Sequence, residues 1–112
     1  MKDAISAIEL QRLLDEGARI KVYDVRKIHD RVDVEYPVPT AQWRDPEKVS
    51  QWRRDIGDAD EVIVFCVHGH QVSQSTRDVL RERGIRAHIL EGGIEAWLDY
   101  ARSRKPTRSG TP

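Results

Sequence analysis

Apolar positions along this chain change rhythm several times, and each change marks an element. In "ISAIELQRLLDEG", Ser6 and Glu9 are spaced as a capping box and Ile5 is placed to staple against Leu10. Leu10, Leu13 and Leu14 then form one apolar helical face, which Gly17 ends. "IKVYDV", Ile20 to Val25, is rich in β-branched residues and predicts a short strand. From Arg26 to Arg44 no period is sustained, and Pro37 and Pro39 predict an ordered loop with at most a short strand. "DPEKVSQWRRDIG" predicts a helix again, with Asp45 as cap, Pro46 in the first turn, and Val49, Trp52 and Ile56 at helical spacing before Gly57.

"EVIVFC" is the most apolar segment. Val62 to Phe65 runs without a polar interruption, which predicts a central strand covered on both faces. A helix is predicted from Ser73 to Gly84, a strand over "AHIL", and a last helix over "GIEAWLDYA", where Ile94, Trp97, Leu98 and Ala101 make one stripe. Helices alternating with strands predict an α/β domain: a central, mostly parallel sheet flanked by helices on both faces. The 112 residues suffice for one hydrophobic core. Residues 1–101 are assigned to that domain and 102–112 to a basic, flexible C-terminal tail.

Charge changes the picture only at that tail. The chain has 19 basic and 19 acidic residues. Arg102, Arg104, Lys105 and Arg108 lie in the tail with no acid, which leaves fifteen basic against nineteen acidic residues before it. A mildly acidic body without a basic stripe argues against nucleic acid as a partner. No apolar run approaches a membrane span and "MKDAISAIEL" lacks a signal peptide's apolar core, so no membrane partner and a cytoplasmic location are expected. Without heptads or an obvious exposed apolar stripe, a monomer is expected.

The candidate chemistry rests on one cysteine, which excludes an internal disulfide and any multi-cysteine zinc site. Cys66 stands at the carboxyl end of the most buried predicted strand, where ligands of open α/β sheets collect. The loop after it, "VHGHQV", leads into a helix whose first N–H groups stabilise a thiolate or an oxyanion. Gly69 permits a positive φ or a close backbone approach, and His68 and His70 can hydrogen-bond anionic substrates. A lone cysteine ending a strand is also a common inert filler. The residues alone leave both readings open.

At this point the chain resembles a rhodanese-like sulfurtransferase domain of the single-domain type. "VYDVR", Val22 to Arg26, resembles that family's strand ending in Asp-Val-Arg. "VIVFCVHGHQVS" resembles its strand, catalytic cysteine and glycine-containing loop, and "LEGGIEAW" its Gly-Gly-x-x-Ala-Trp signature. The resemblance implies a sulfurtransferase in which Cys66 takes a sulfane sulfur from a donor such as thiosulfate, becomes a persulfide, and passes that sulfur to cyanide or a thiol. It implies a cradle of N–H groups from Val67 to Val72, with His68, His70 and Gln71 choosing the substrates. A sulfur-carrier protein is a further candidate partner, and no organic cofactor or metal is implied. Asp24 and Arg26 are expected to brace the site as an ion-paired strand end, with Arg26 offering its fork to a carboxylate such as Glu35.

Two departures from the family pattern stand out. Many single-domain relatives carry a basic residue where this chain has Gln71, and the family's Gly-His-Ile-Pro-Gly-Ala region is replaced by "EYPVPTAQWRDP", which leaves Trp43 and Arg44 as candidates for the mouth of the site. Three other readings compete. A cysteine-dependent phosphatase needs an arginine about six residues after the cysteine, where Val72 stands. A zinc or copper site from Cys66, His68 and His70 would need alternate residues of a strand and a fourth ligand. A non-catalytic regulatory or binding module is the alternative that keeps the family but not the chemistry.

Overall fold

The computed structural model describes residues 4–57, 61–68 and 71–104. Five strands form one sheet: β1 (Ala4–Ile5), β2 (Ile20–Asp24), β3 (Gln42–Trp43), β4 (Glu61–Phe65) and β5 (Ala87–Leu90), in the order β1-β5-β4-β2-β3. Every pairing is parallel, from Ala4 opposite Ile89 at one edge to Asp24 opposite Trp43 at the other. The helices are α1 (Ala7–Asp15), α2 (Val49–Trp52), α3 (Gln71–Glu82) and α4 (Gly93–Arg104). The α/β architecture expected from the alternating pattern is the one observed.

The uninterrupted apolar run of β4 is explained by its two faces. Ile63 and Phe65 point into one cluster with Leu10 of α1 and Ile94 and Trp97 of α4. Val62 and Val64 point into the other, with Trp52, Ile56 and Leu80. With side chains alternating along the strand, both sets are buried and none can be polar without cost. At the start of α1 the capping box is complete: the Glu9 N–H donates to Ser6 Oγ at 3.1 Å and the Ser6 N–H to Glu9 Oε1 at 3.2 Å. On the second face Tyr23 packs on Trp52 with ring centroids 5.2 Å apart. Burial pushes its phenol above the ordinary range, with Arg44 pulling down and Asp55 adding to the rise.

Several boundaries differ from the sequence reading. Ala4–Ile5 is an edge strand rather than a lead-in to the first helix, because two residues are too few to display a period. The helix expected from Asp45 to Ile56 is broken into a 3-10 turn at Pro46–Lys48, the single turn of α2, and a second 3-10 turn at Arg53–Asp55. Asp45 still caps it, accepting from the Glu47 N–H at 2.9 Å, and Trp52 and Ile56 still face the sheet. The helix expected near Ser73 begins two residues earlier, at Gln71. α4 runs through Arg102 to Arg104, so the boundary placed at 101 falls inside a helix, and residues 105–112 lie outside the described residues. Among the described residues no helix is long and apolar enough to cross a membrane.

Candidate active site

The strand order creates the site. β2 leads outward to β3 on one side, whereas β4 leads to β5 on the other. The chain therefore leaves the carboxyl ends of these two hydrogen-bonded neighbours in opposite directions, and a crevice opens between them. Asp24 lies opposite Phe65 in the register, so the residues after both strands meet there: Arg26 and Lys27 from β2, Cys66 and its loop from β4.

Cys66 is buried, with 6% of its surface exposed. Its Sγ lies 3.2 Å from the hydroxyl oxygen of Ser73, itself fully buried in the first turn of α3. As a thiol, Cys66 donates to Ser73 Oγ. Once ionised it can only accept, and the Ser73 O–H donates to it. At the start of the same helix the N–H groups of Gln71 and Val72 have no acceptor within the helix itself. Sulfur and hydroxyl thus meet at the first turn of α3.

The Gly-Gly signature acts on the loop from the other side. Gly92 has φ +76°, and a Cβ there would lie 2.6 Å from that of Ala96, so the turn into α4 requires glycine. The turn aims the start of α4 at the cysteine loop. The Ile94 N–H donates to the Cys66 carbonyl at 2.9 Å and the Glu95 N–H to the Val67 carbonyl at 3.3 Å. The backbone at Cys66 and Val67 is therefore held by the N-terminus of α4, while the Cys66 side chain meets Ser73 of α3.

The remaining support is an ion pair. Arg26 Nε lies 3.0 Å from both carboxylate oxygens of Asp24, Nη2 lies 2.7 Å from Oδ2, and the Arg26 backbone N–H donates to Oδ1 at 3.0 Å. Both side chains are about nine-tenths buried. Arg26 Nη1 also donates to the Val32 carbonyl at 3.2 Å, and the Arg26 carbonyl accepts from Trp43 Nε1 at 2.8 Å. This ties the loop after β2 and the edge strand β3 to one anchor. The partner expected for Arg26 is corrected: Glu35 is exposed and lies 3.4 Å from Arg102 of α4. Residues i and i+2 of an extended strand end share a side, which puts Asp24 within reach first.

Cys66, Val67, His68, Gln71 and Val72 line one cavity of about 240 Å³ with Arg26, Lys27 and Asp30. His68 is exposed, its Nδ1 3.2 Å from Glu95 Oε1. Gly69 and His70, the other two expected loop residues, lie outside the described residues. Trp43 and Arg44 are absent from this lining. Trp43 is held by the Arg26 carbonyl, with the Arg31 guanidinium 4.9 Å from its ring centre, and Arg44 sits over Tyr23. Among the described residues no cluster of three metal-ligating side chains occurs.

Ser73, Lys27 and Asp30 were not singled out in the sequence. The signal for Ser73 was a hydroxyl seven residues after the cysteine, meaningful only once the helix starts at Gln71. Removing it by Ser73→Ala is expected to slow iodoacetamide alkylation of Cys66 at neutral pH by about tenfold, the effect of losing one hydrogen bond to a charged group. Ser73→Thr should restore most of the rate; equal rates in all three proteins would remove Ser73 from the site.

A parallel α/β sheet with a cysteine loop at its switch point defines a recognisable class of domain. A family model described as the rhodanese-like domain matches residues 6–100, and the chain belongs to that family. A rhodanese homolog from the extremely thermophilic bacterium Thermus thermophilus is 30% identical, with 83% of this chain and 98% of that one covered at a TM-score of 0.58. A thiosulfate sulfurtransferase from Pseudomonas aeruginosa is 21% identical over 98% of this chain but 20% of its own, at a TM-score of 0.74. A protein of unknown function from Rhodopseudomonas palustris, a possible tyrosine phosphatase, is 15% identical over 88% and 81% of the two chains at a TM-score of 0.75. At those last two identities the likeness is one of fold. A search among curated proteins finds no match.

Proposed function

We propose that this domain is a sulfurtransferase that carries a sulfane sulfur as a persulfide on Cys66. The observation that supports it most is the placement of Cys66 Sγ against the Ser73 hydroxyl, beside the start of α3 and inside the crevice between β2 and β4. A thiolate held there attacks the outer sulfur of thiosulfate. The sulfur–sulfur bond breaks and sulfite leaves with its electron pair. The N–H groups of the loop and of the first turn of α3 receive the negative terminal sulfur of the persulfide. Cyanide, or the thiolate of an acceptor, then attacks that sulfur, and Cys66 leaves as the thiolate it began as.

A phosphatase reading, which the Rhodopseudomonas neighbour raises, lacks its means of holding phosphate. Val72 occupies the position six residues after the cysteine, and the guanidinium of Arg26 is committed to Asp24. The sulfurtransferase reading is tested by steady-state turnover of thiosulfate with cyanide on the reduced protein. Ping-pong exchange predicts parallel double-reciprocal lines. Intersecting lines would exclude a free sulfur-loaded enzyme, and absence of turnover with both thiosulfate and persulfide donors would favour the non-catalytic module.

Gln71 bears on the donor. A neutral amide lines the cavity where many relatives have a cation, so Gln71→Arg is expected to raise kcat/KM for thiosulfate about tenfold, the gain of one charge-assisted contact in place of a neutral one. A decrease in thiosulfate turnover would show that Gln71 is no handicap for anionic donors.

A further inference from the structure

A cavity that shares no wall residue with the one at Cys66 lies along β2 toward the edge of the sheet. It holds about 240 Å³ where β2 meets β3 and the 3-10 turn at Arg53–Asp55. Strand geometry gathers its polar groups. Lys21 and Tyr23, two residues apart on β2, project from the same face, and the register sets Gln42 beside Tyr23 with Arg44 two residues further on. Arg44 Nη2 donates to Gln42 Oε1 at 3.0 Å and Nη1 to the Trp43 carbonyl at 2.9 Å, and the guanidinium carbon lies 5.4 Å from the centre of the Tyr23 ring. At the 3-10 turn, the Lys21 ammonium donates to the carbonyl of Ile56, the neighbour of Asp55.

Tyr23 points to an occupant. Only 4% of it is exposed, yet its hydroxyl makes no hydrogen bond among the described residues. The orphaned buried side-chain atoms among those residues are Arg53 Nε and Trp97 Nε1, so the Tyr23 oxygen is not sealed in the core and opens onto the cavity that Tyr23 lines. Burial raises the phenol's pKa, and Arg44 pulls it down more than Asp55 pushes it up. At neutral pH the group is therefore an O–H donor with a guanidinium and a carboxylate in electrostatic reach. A ligand that accepts from it recovers the cost of leaving it unmatched.

The wall is rich in donors and poor in acceptors. Lys21 keeps N–H groups beyond the one given to Ile56, and Arg44 keeps others beyond those given to Gln42 and Trp43. Gln42 Oε1 is taken by Arg44, and the Asp55 carboxylate forms no hydrogen bond or ion pair among the described residues. Two cations against one carboxylate call for anionic oxygens, and Asp55 calls for one O–H among them. The volume lies below the roughly 300 Å³ at which pockets for drug-sized ligands begin, which suits a small ion. Inorganic phosphate keeps at least one O–H at neutral pH, whereas sulfate, of the same shape, keeps none. We propose that this groove binds inorganic hydrogen phosphate, with Arg44, Lys21 and the Tyr23 hydroxyl donating to its oxygens and Asp55 accepting from its protonated one. The site is independent of the reaction at Cys66.

Calorimetric titration of the full chain at pH 7 and low ionic strength tests it. Inorganic phosphate is expected to bind at one saturable site, and sulfate about tenfold more weakly for want of one charge-assisted hydrogen bond. Tyr23→Phe keeps the ring that packs on Trp52 and removes only the hydroxyl, and should weaken phosphate binding about tenfold. Asp55→Asn, at an exposed position, should bring phosphate and sulfate to within about twofold of each other. Melting temperatures without ligand verify that each variant is folded. No saturable phosphate binding to the wild type, or unchanged phosphate affinity in Tyr23→Phe, would overturn the site. An unchanged preference over sulfate in Asp55→Asn would overturn the role of the protonated oxygen. Methyl phosphate, which loses its last proton near pH 6, should bind as weakly as sulfate; tighter binding than inorganic phosphate would overturn the assignment to the free ion.

Discussion

Cys66→Ser is expected to reduce thiosulfate–cyanide turnover to the uncatalysed background while leaving the fold in place. Serine is nearly isosteric with cysteine, and its hydroxyl can still hydrogen-bond Ser73 across the 3.2 Å that separates Cys66 Sγ from Ser73 Oγ. The Ile94 and Glu95 N–H groups still clamp the carbonyls of residue 66 and Val67. What the proposed mechanism loses is its nucleophile: an alkoxide is not accessible near neutral pH, and an oxygen–sulfur adduct does not replace a persulfide as a sulfur carrier. Near-wild-type turnover in this variant would move the chemistry elsewhere in the domain. Melting temperatures of the two proteins, measured alongside, separate lost chemistry from lost structure.

Arg26→Ala is expected to cost about 3–5 kcal/mol of stability, because it leaves the Asp24 carboxylate buried without its counter-ion. The side chains are 10% and 9% exposed, so solvent cannot substitute for the guanidinium. The same guanidinium also satisfies the Val32 carbonyl, so the loop that carries Lys27 and Asp30 to the cavity loses its tie at once. For a domain of this size the loss corresponds to a fall in Tm on the order of 15 °C. Urea unfolding at neutral pH measures it. Removing both charges, by Asp24→Asn with Arg26→Met, should restore part of the loss, since no charge is then buried alone. A cost below about 1 kcal/mol for Arg26→Ala would mean that the pair is ornamental, and the bracing role of the Asp-Val-Arg segment would fall with it.

Much of this fold was legible because its cause is local. A strand buried on both faces must be apolar at every position, and Val62 to Phe65 are. A capping box needs only Ser6 and Glu9 three residues apart, and both bonds are made. Cys66 was legible as the end of that strand, and the crevice followed from the rule for open parallel sheets. What escaped depends on partners distant in sequence or on a shift of two residues. β1 and β3 are two-residue strands that exist only through pairing with β5 and β2. Arg26 was matched to Glu35 because any nearby carboxylate serves on paper, whereas the backbone presents Asp24 to it directly. Ser73 was hidden by placing the helix start at Ser73 itself. With the start at Gln71, its hydroxyl falls in the first turn and faces the sulfur. Lys27 and Asp30 carry no motif and join the cavity only because the loop after β2 folds back over it.

The central claim is that sulfur resides on Cys66 between the two halves of the reaction. Intact-protein mass spectrometry before and after incubation with thiosulfate tests it most directly. The account predicts a gain equal to one sulfur atom in the wild-type protein, none in Cys66→Ser, and reversal by cyanide or a thiol. A folded, reduced wild-type protein that gains no sulfur from thiosulfate or from a persulfide donor would contradict it.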